Sequence, residues 1–331
     1  MFFLMILMIG SMISISSNSW MGMWLGLEIN LLAFIPLIQE KNNLLSSESS
    51  LKYFLSQALA STILLFSMII MSKNFLILKN IENYMLMIFN STLLMKMGMA
   101  PFHFWFPEVI EGLNWFNSLI LLTWQKITPM VLVMYNLNLQ YFLFIIIIFS
   151  MIISSVMGIN QTSLRKILAY SSINHMAWMI SAMFFSETIW FYYLITYFIL
   201  TFNIWVLFKY LNIFYVNQLI ISLKNNILMK LFFSFNFLSL GGLPPFMGFF
   251  PKWLTIQFMI NSKWTIMAFI MVILTLFTLF YYMRLIFNVL IMNHNNLNFT
   301  IKINYMNFYV MSLNVFMLIN LILFTLFFNY I

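Results

Sequence analysis

The chain has 331 residues, of which 63% are hydrophobic and 7% charged, where a soluble domain carries about a quarter charged. With 15 Lys plus Arg, 7 Glu and no Asp, it has too little polarity to coat a water-facing sphere. A soluble globular enzyme and a disordered tail are both excluded, which leaves a polytopic membrane protein. The absence of Cys excludes disulfides, zinc thiolate sites, iron–sulfur clusters and covalent c-type haem. The net charge of +8 is scattered along the chain, not gathered into the basic stripe of a nucleic-acid surface.

Eleven apolar spans follow in chain order: residues 1–17, 19–39, 51–72, 82–107, 118–138, 141–159, 164–185, 188–210, 227–260, 264–291 and 306–329. About 20 apolar residues cross a bilayer as a helix. Backbone polar groups in lipid must be satisfied within the span, so these spans are read as helices. The strict alternation of a β-barrel is missing. The connections are short and rich in Asn, Ser and Lys, with no room for an extramembrane domain. The expected fold is therefore an all-α polytopic membrane protein of about eleven transmembrane helices.

Two spans are interrupted by proline. The fourth (82–107) contains Lys96-Met-Gly-Met-Ala-Pro101-Phe-His103-Phe-Trp-Phe-Pro107-Glu108. The ninth (227–260) contains Leu240-Gly-Gly-Leu-Pro244-Pro245-Phe-Met-Gly-Phe-Phe-Pro251-Lys252-Trp. Each is the fourth helix of a five-helix set. An odd helix number turns the second set upside down, and inverted repeats with matching broken helices are a transporter signature. The expected division is a first repeat over 1–138, an inverted second repeat over 139–291, and a C-terminal helix in 292–331.

With the N-terminus on one side and the spans alternating, Lys41, Lys52, Arg165, Lys166, Lys209, Lys224, Lys230, Arg284 and Lys302 fall on that side. Lys73, Lys79 and Lys263 fall on the other. The positive-inside rule makes the N-terminal side the interior.

Lys96, Lys126 and Lys252 lie within spans, as does Glu28. Glu28 is about 14 Å deep at 1.5 Å per residue, Lys126 about 12 Å and Lys96 about 21 Å. A lone charge at such depth costs about 3 kcal/mol on insertion scales, so these groups are expected to face one another or water inside the bundle. Burial disfavours a charged form and an opposite charge favours it. A lysine that approaches or leaves a glutamate therefore switches its proton affinity, which is a physical basis for proton transfer. His103 and His175 can pass a proton near neutral pH, or they can simply pack. A buried Glu28–Lys96 pair can also be structural glue. Lys52, Lys73, Lys79, Lys209 and Lys302 read as snorkelling side chains, and the same reading competes for Lys252. Glu108 and Glu111 read as interfacial, and Gly22-x-x-x-Gly26 as a close helix contact. No metal site is expected.

The run from Lys96 to Val109, together with Trp124-Gln-Lys126-x-x-Pro129, closely resembles the subunit 2 family of mitochondrial NADH dehydrogenase. So do Asn160-Gln-Thr-Ser-Leu-Arg-Lys-Ile-Leu-Ala-Tyr-Ser-Ser-Ile-Asn-His175 and Leu238-Ser-Leu-Gly-Gly-Leu-Pro-Pro-Phe-x-Gly-Phe-x-Pro-Lys252-Trp. The resemblance runs from about Ser17 to Trp253; beyond that it is one of hydropathy. The composition agrees. Phe (39) and Met (30) are plentiful while Gly (9) and Pro (7) are scarce, the mark of AT-rich codons and of a code with an extra Met codon. This looks like an arthropod version made inside the organelle. The first fifteen residues show no basic leader or Arg-rich presequence.

The resemblance implies an antiporter-like, proton-pumping membrane subunit of respiratory complex I, in the mitochondrial inner membrane. With the charge bias above, the interior is the matrix, so the N-terminus is expected there and the C-terminus in the intermembrane space. The family's proton-handling residues match Glu28, Lys96, Lys126 and Lys252, with histidines like His103 and His175 between them. A proton would enter from the matrix, load a central lysine with Lys126 as gate, pass His175 to Lys252 and leave on the far side. The Glu28–Lys96 pair would couple that step to quinone reduction in neighbouring subunits. No cofactor is implied on this chain; NADH, FMN, iron–sulfur clusters and ubiquinone belong to the rest of the complex. Implied partners are other membrane-arm subunits, antiporter-like and small hydrophobic, and inner-membrane lipids such as cardiolipin, with no nucleic acid. Bacterial relatives have fourteen helices, and this chain looks like the form lacking the first three. Two alternatives stand beside this reading: a free-standing cation/proton antiporter, and a structural, non-pumping membrane-arm subunit.

Overall fold

The computed structural model describes residues 1–40, 43–72, 79–223, 227–291 and 312. The span expected at 306–329 lies outside them apart from Ser312, as do Lys41, Lys73, Lys224 and Lys302. Two compact units form, Met1–Ser150 and Met151–Ile331.

In the first unit, α1 (Phe2–Ser16) and α2 (Trp20–Ile38) pack side by side. Gly26 of α2 makes this possible. A Cβ there would stand 2.6 Å from the Ser14 backbone N and 2.7 Å from the Gly10 carbonyl oxygen. Ser19 caps α2 by accepting from the Gly22 N–H at 3.3 Å. α3 (Leu44–Ser72) begins two turns before the apolar run expected at 51–72. Its start is held by Ser46, whose hydroxyl accepts from the Glu40 N–H and donates to the Asn43 carbonyl. A buried row follows along it: Ser46, Ser49, Ser50, Tyr53, Gln57, Ser61 and Ser67. That face packs on α2, on α4 (Lys79–Met97) and on α5 (Trp105–Gly112).

The expected interruption of the fourth span is real, since chain between α4 and α5 leaves the helix. The fifth span, expected as one helix over 118–138, is instead α6 (Trp115–Leu122) and α7 (Trp124–Met134). Thr123 divides them at φ −115° and ψ −75°. Its hydroxyl donates to the Leu119 carbonyl at 2.7 Å, a local bond that competes with the helix ladder. α7 packs on α4, α6 and α1. α8 (Gln140–Ile159) runs through the boundary between the units.

In the second unit, α9 (Leu164–Met183) is buried at every residue from Ile167 to Met183. It packs on α10 (Glu187–Leu211), α13 (Phe249–Asn261) and α14 (Thr265–Ile291). α11 (Val216–Leu223) was not expected; the sequence reads there as a connection. Gln218 closes its first turn by accepting from the Phe214 and Tyr215 N–H groups. α12 (Ile227–Gly241) packs on α10, α11 and α14, and the chain breaks again before α13.

Six helical stretches among the described residues are long and apolar enough to cross a membrane: Trp20–Ile38, Leu44–Ser72, Trp115–Met134, Gln140–Ile159, Glu187–Leu211 and Thr265–Ile291. The architecture is all-helical, with shorter apolar helices in α1 and α12. α9 has the length to cross but carries Ser171, Ser172, Asn174, His175 and Ser181 at buried positions.

Candidate functional site

Both breaks are built the same way. At the end of α4, Gly98 takes φ +74°; at the end of α12, Gly242 takes φ +77°. The Gly98 N–H bonds to Met95 O at 3.1 Å and the Met99 N–H to Leu94 O at 3.0 Å. The Gly242 N–H bonds to Ser239 O at 3.1 Å and the Leu243 N–H to Leu238 O at 3.4 Å. This pair of bonds around a left-handed glycine closes a helix and satisfies two of its last carbonyls. Proline follows within three residues in each case and prevents the helix from resuming at once.

Each break also carries a buried lysine close to a helix C-terminus, where the aligned peptide dipoles favour a cation. In the first unit that group is Lys96, in the last turn of α4 and 7% exposed. In the second it is Lys252, which comes from α13 and reaches back. Its Nζ donates to Gly241 O at 2.9 Å and to Leu240 O at 3.4 Å. Lys252 is 6% exposed, so it does not snorkel. On α4 the counterpart of Leu240 O is Lys96 O, which accepts from the neutral Gln57 Nε2 at 3.4 Å. One residue earlier, Met95 O accepts from Trp105 Nε1 at 3.0 Å.

Glu28 acts on Lys96 and on Tyr53 by charge through space. Its Oε1 is buried without a hydrogen-bond partner. Among the described residues the expected Glu28–Lys96 pairing is thus not a closed ion pair. Lys126 is 2% exposed, with its Nζ 5.1 Å from the centroid of the Phe106 ring. Phe106 belongs to α5, just after the break, and also packs on Gly98: a Cβ at Gly98 would stand 2.8 Å from Phe106 Cβ. Beside Lys126, Gln125 Nε2 donates to Asn30 Oδ1 at 2.9 Å, and Trp124 Nε1 to Ser11 Oγ at 3.1 Å. These bonds tie α7 to α2 and α1.

His103 sits inside the first break and is buried. Its Nδ1 lies 3.3 Å from Pro101 O, which can only accept, so the contact places a proton on Nδ1. His103 also stacks on Phe104, with ring centroids 4.5 Å apart. His175 lies on α9, with Nδ1 3.0 Å from Tyr193 Oη.

Around His175 the structure gathers groups that the sequence reading passed over. Tyr193, Tyr197, Tyr281 and Tyr282 are all buried. Ser172 lies beside Tyr197 and Ser171 beside Tyr282, and Tyr281 Oη donates to Tyr282 Oη at 3.4 Å. Asn174 Nδ2 donates to Thr278 Oγ1 at 3.4 Å. Tyr282 packs on Gly241, the residue whose carbonyl holds Lys252. The i, i+4 spacing of Tyr193 and Tyr197 was a legible sign, since it puts two hydroxyls on one helix face.

Other charges divide clearly. Lys52 is half exposed and bridges Glu48 at 2.7 Å and Glu108 at 2.8 Å. Lys230, counted with the N-terminal side, is buried in the first turns of α12. Among the described residues no cluster of three or more His, Cys, Asp or Glu side chains is placed to hold a metal ion.

Helices broken beside buried lysines, in each of two units, define the antiporter-like class of membrane proteins. Residues 17–278 match the transmembrane family described as NADH:quinone oxidoreductase/Mrp antiporter. The chain is 50% identical over 309 residues to NADH-ubiquinone oxidoreductase chain 2 of Anopheles gambiae, covering 92% of this chain and 90% of that one. It is 48% identical to the protein of that name from Aedes aegypti, over 92% of this chain and 90% of that one. Its fold matches a chain in the structure "Respiratory complex I from Thermus thermophilus with bound Aureothin" with a TM-score of 0.85 at 21% identity, covering 98% of this chain and 78% of that one. The chain belongs to the NADH-ubiquinone oxidoreductase chain 2 branch of this antiporter-like family.

Proposed function

We propose that the chain is the proton-translocating, antiporter-like membrane subunit of a respiratory NADH:ubiquinone oxidoreductase in the mitochondrial inner membrane. The observation that carries this reading is the repeated break: a helix closed by a left-handed glycine, with a buried lysine in its last turn in the first unit and, in the second, a buried lysine that reaches back to its terminal carbonyls. Ionisable residues within a membrane are costly and mark ion or proton paths. Lysine suits the task because it can give up its proton, whereas arginine stays charged.

In the first unit Lys96 and Lys126 take up and release the proton. The charge of Glu28 sets how firmly Lys96 holds it. In the second unit His175 and its tyrosine and serine hydroxyls lead to Lys252. His103 relays at the first break. NADH, FMN, iron–sulfur clusters and ubiquinone act in other subunits, and this chain converts their free energy into proton movement. The finer architecture belongs to the same proposal: eleven transmembrane helices, inverted repeats over 1–138 and 139–291, and a C-terminal helix in 292–331. So do an N-terminus in the matrix, a C-terminus in the intermembrane space, membrane-arm neighbours and cardiolipin at the periphery.

The test is the number of protons moved per electron pair in reconstituted complex bearing Lys96→Ala or Lys252→Ala. A lowered ratio with intact assembly supports the proposal. An unchanged ratio with normal electron transfer removes that lysine from the path. Impaired assembly with an unchanged ratio in what does assemble makes the subunit structural. Sodium exchange by the isolated chain in vesicles makes it a free-standing antiporter.

A further inference from the structure

The second unit contains a cavity that the proton-handling groups do not use. It has a volume of about 630 Å³ and is lined by Arg284, Asn160, Gln161, Thr162, Asn217 and Asn288, among others. Three features make it electropositive. First, Arg284 spends one N–H on the Ile159 carbonyl, at the end of α8, leaving the rest of a five-donor fork. Second, the turn Asn160–Thr162 leads into α9, and Asn217 stands in the first turn of α11. Two helix N-termini thus border the cavity, and such ends attract anions. Third, no carboxylate is among the described lining residues. Residues 151–331 hold nine Lys and Arg against a single glutamate, Glu187, whereas residues 1–150 hold six of each sign. The entire net charge of the chain therefore lies in this half, and among the described residues no carboxylate lines the cavity beside Arg284.

Depth indicates where the anion comes from. α14 has 27 residues, about 40 Å at 1.5 Å per residue, against a hydrocarbon core of about 30 Å. Arg284 stands seven residues before its last residue, Ile291, about 10 Å from that end. With the excess length of α14 on this side, Arg284 stands at the edge of the hydrocarbon core, from which a long guanidinium side chain extends to the headgroup phosphates. The Asn and Gln amides and the Thr hydroxyl fit phosphate and glycerol oxygens, and a guanidinium binds phosphate in bidentate fashion.

We propose that this cavity binds the phosphate of a phospholipid headgroup, with Arg284 as its anchor. The proposal does not depend on whether the chain pumps protons, because its readout is lipid binding.

The test uses the purified complex in phosphatidylcholine nanodiscs doped with a photoactivatable, headgroup-labelled phosphatidylglycerol. Labelled peptides are mapped by mass spectrometry. Labelling is expected on the segments around Asn160, Asn217 and Arg284. Unlabelled phosphatidylglycerol should compete and diacylglycerol, which lacks the phosphate, should not. Arg284→Gln should weaken capture about tenfold, as the loss of a charge-assisted pair implies. Arg284 also holds the Ile159 carbonyl, so Asn217→Ala serves as a second variant that leaves that bond intact; it should weaken capture by a smaller factor. Labelling that persists unchanged in both variants overturns the proposal, and so does equal competition by diacylglycerol. Competition by inorganic phosphate at millimolar level makes the ligand a soluble anion and overturns the lipid source. Cross-linking from Asn217→Cys, a unique thiol in this Cys-free chain, to a neighbouring subunit in intact complex overturns it as well.

Discussion

Lys252 Nζ lies 2.9 Å from the carbonyl oxygen of Gly241, across the break between α12 and α13. The ammonium thus does two separable things. It closes the end of a helix, and under the proposed function it also carries the proton that moves.

Substitution at Lys252 should separate them. Lys252→Met leaves two carbonyls of α12 without their donor, and a buried polar group left unmet costs about 1–3 kcal/mol. Lys252→Arg keeps the charge and the donors but does not release its proton. The expected outcome is a lower thermal midpoint for Lys252→Met and a midpoint near the parent for Lys252→Arg. Both should lose proton translocation. Differential scanning of purified complex and a proton-per-electron measurement check the two halves independently.

Adjacent glycines should respond very differently to alanine. At Gly242 a Cβ would stand 2.8 Å from Lys252 Cδ, with the backbone at φ +77°. At Gly241 the nearest atom would be 3.7 Å away. Gly242→Ala should therefore cost at least the left-handed penalty of about 1–2 kcal/mol and displace Lys252. Gly241→Ala should be neutral or slightly stabilising, because alanine is the better helix former by about 1 kcal/mol. Gly98→Ala should behave like Gly242→Ala, acting on Lys126 through Phe106. Thermal midpoints of the three variants test the ordering.

The contrast between Gly98 and Lys252 shows what was legible in the sequence. The broken helices were readable because proline and glycine act locally, through a fixed φ and a missing N–H. Buried charges were readable because each ionisable residue stands out in an apolar span. The direction in which Lys252 reaches was not readable, since it depends on where α13 returns against α12. The division of the fifth span was missed because Thr123 carries no strong breaking signal and acts through one side-chain bond to Leu119. The burial of Lys230 was not readable, because charge counting assigns a lysine to a side without saying what packs on it, and α12 packs on α10, α11 and α14. The tyrosines around His175 were hidden among the many aromatic residues of the chain.

Those tyrosines give the third prediction. Tyr193 Oη meets His175 Nδ1 at 3.0 Å, so Tyr193→Phe removes one oxygen and leaves the ring in place. The stability cost should be that of one hydrogen bond, about 1 kcal/mol. If His175 relays protons, Tyr193→Phe should also lower the proton-per-electron ratio, and Tyr282→Phe should do so again. A loss of stability with the ratio unchanged would assign the whole cluster to packing.

The last prediction concerns Gly26, whose spacing from Gly22 read as a close helix contact. The structure assigns that contact to Gly26, and its partner is α1. A Cβ at Gly26 would strike backbone atoms of Ser14 and Gly10, whereas one at Gly22 would meet the Ser17 side chain, Cβ at 2.9 Å. At Gly22 the strike falls on Ser17 and Ser19 in the connection between the helices, which can give more readily than the backbone within α1. Gly26→Ala should therefore force α1 and α2 apart, at the about 1–3 kcal/mol typical of overpacking, while Gly22→Ala should cost less. The separation would also disturb Trp124, which donates to Ser11 of α1 and sits two residues from Lys126. Gly26→Ala is accordingly expected to impair both thermal stability and proton translocation, and Gly22→Ala to spare translocation. Equal effects of the two substitutions would mean that the α1–α2 contact does not set the position of α7.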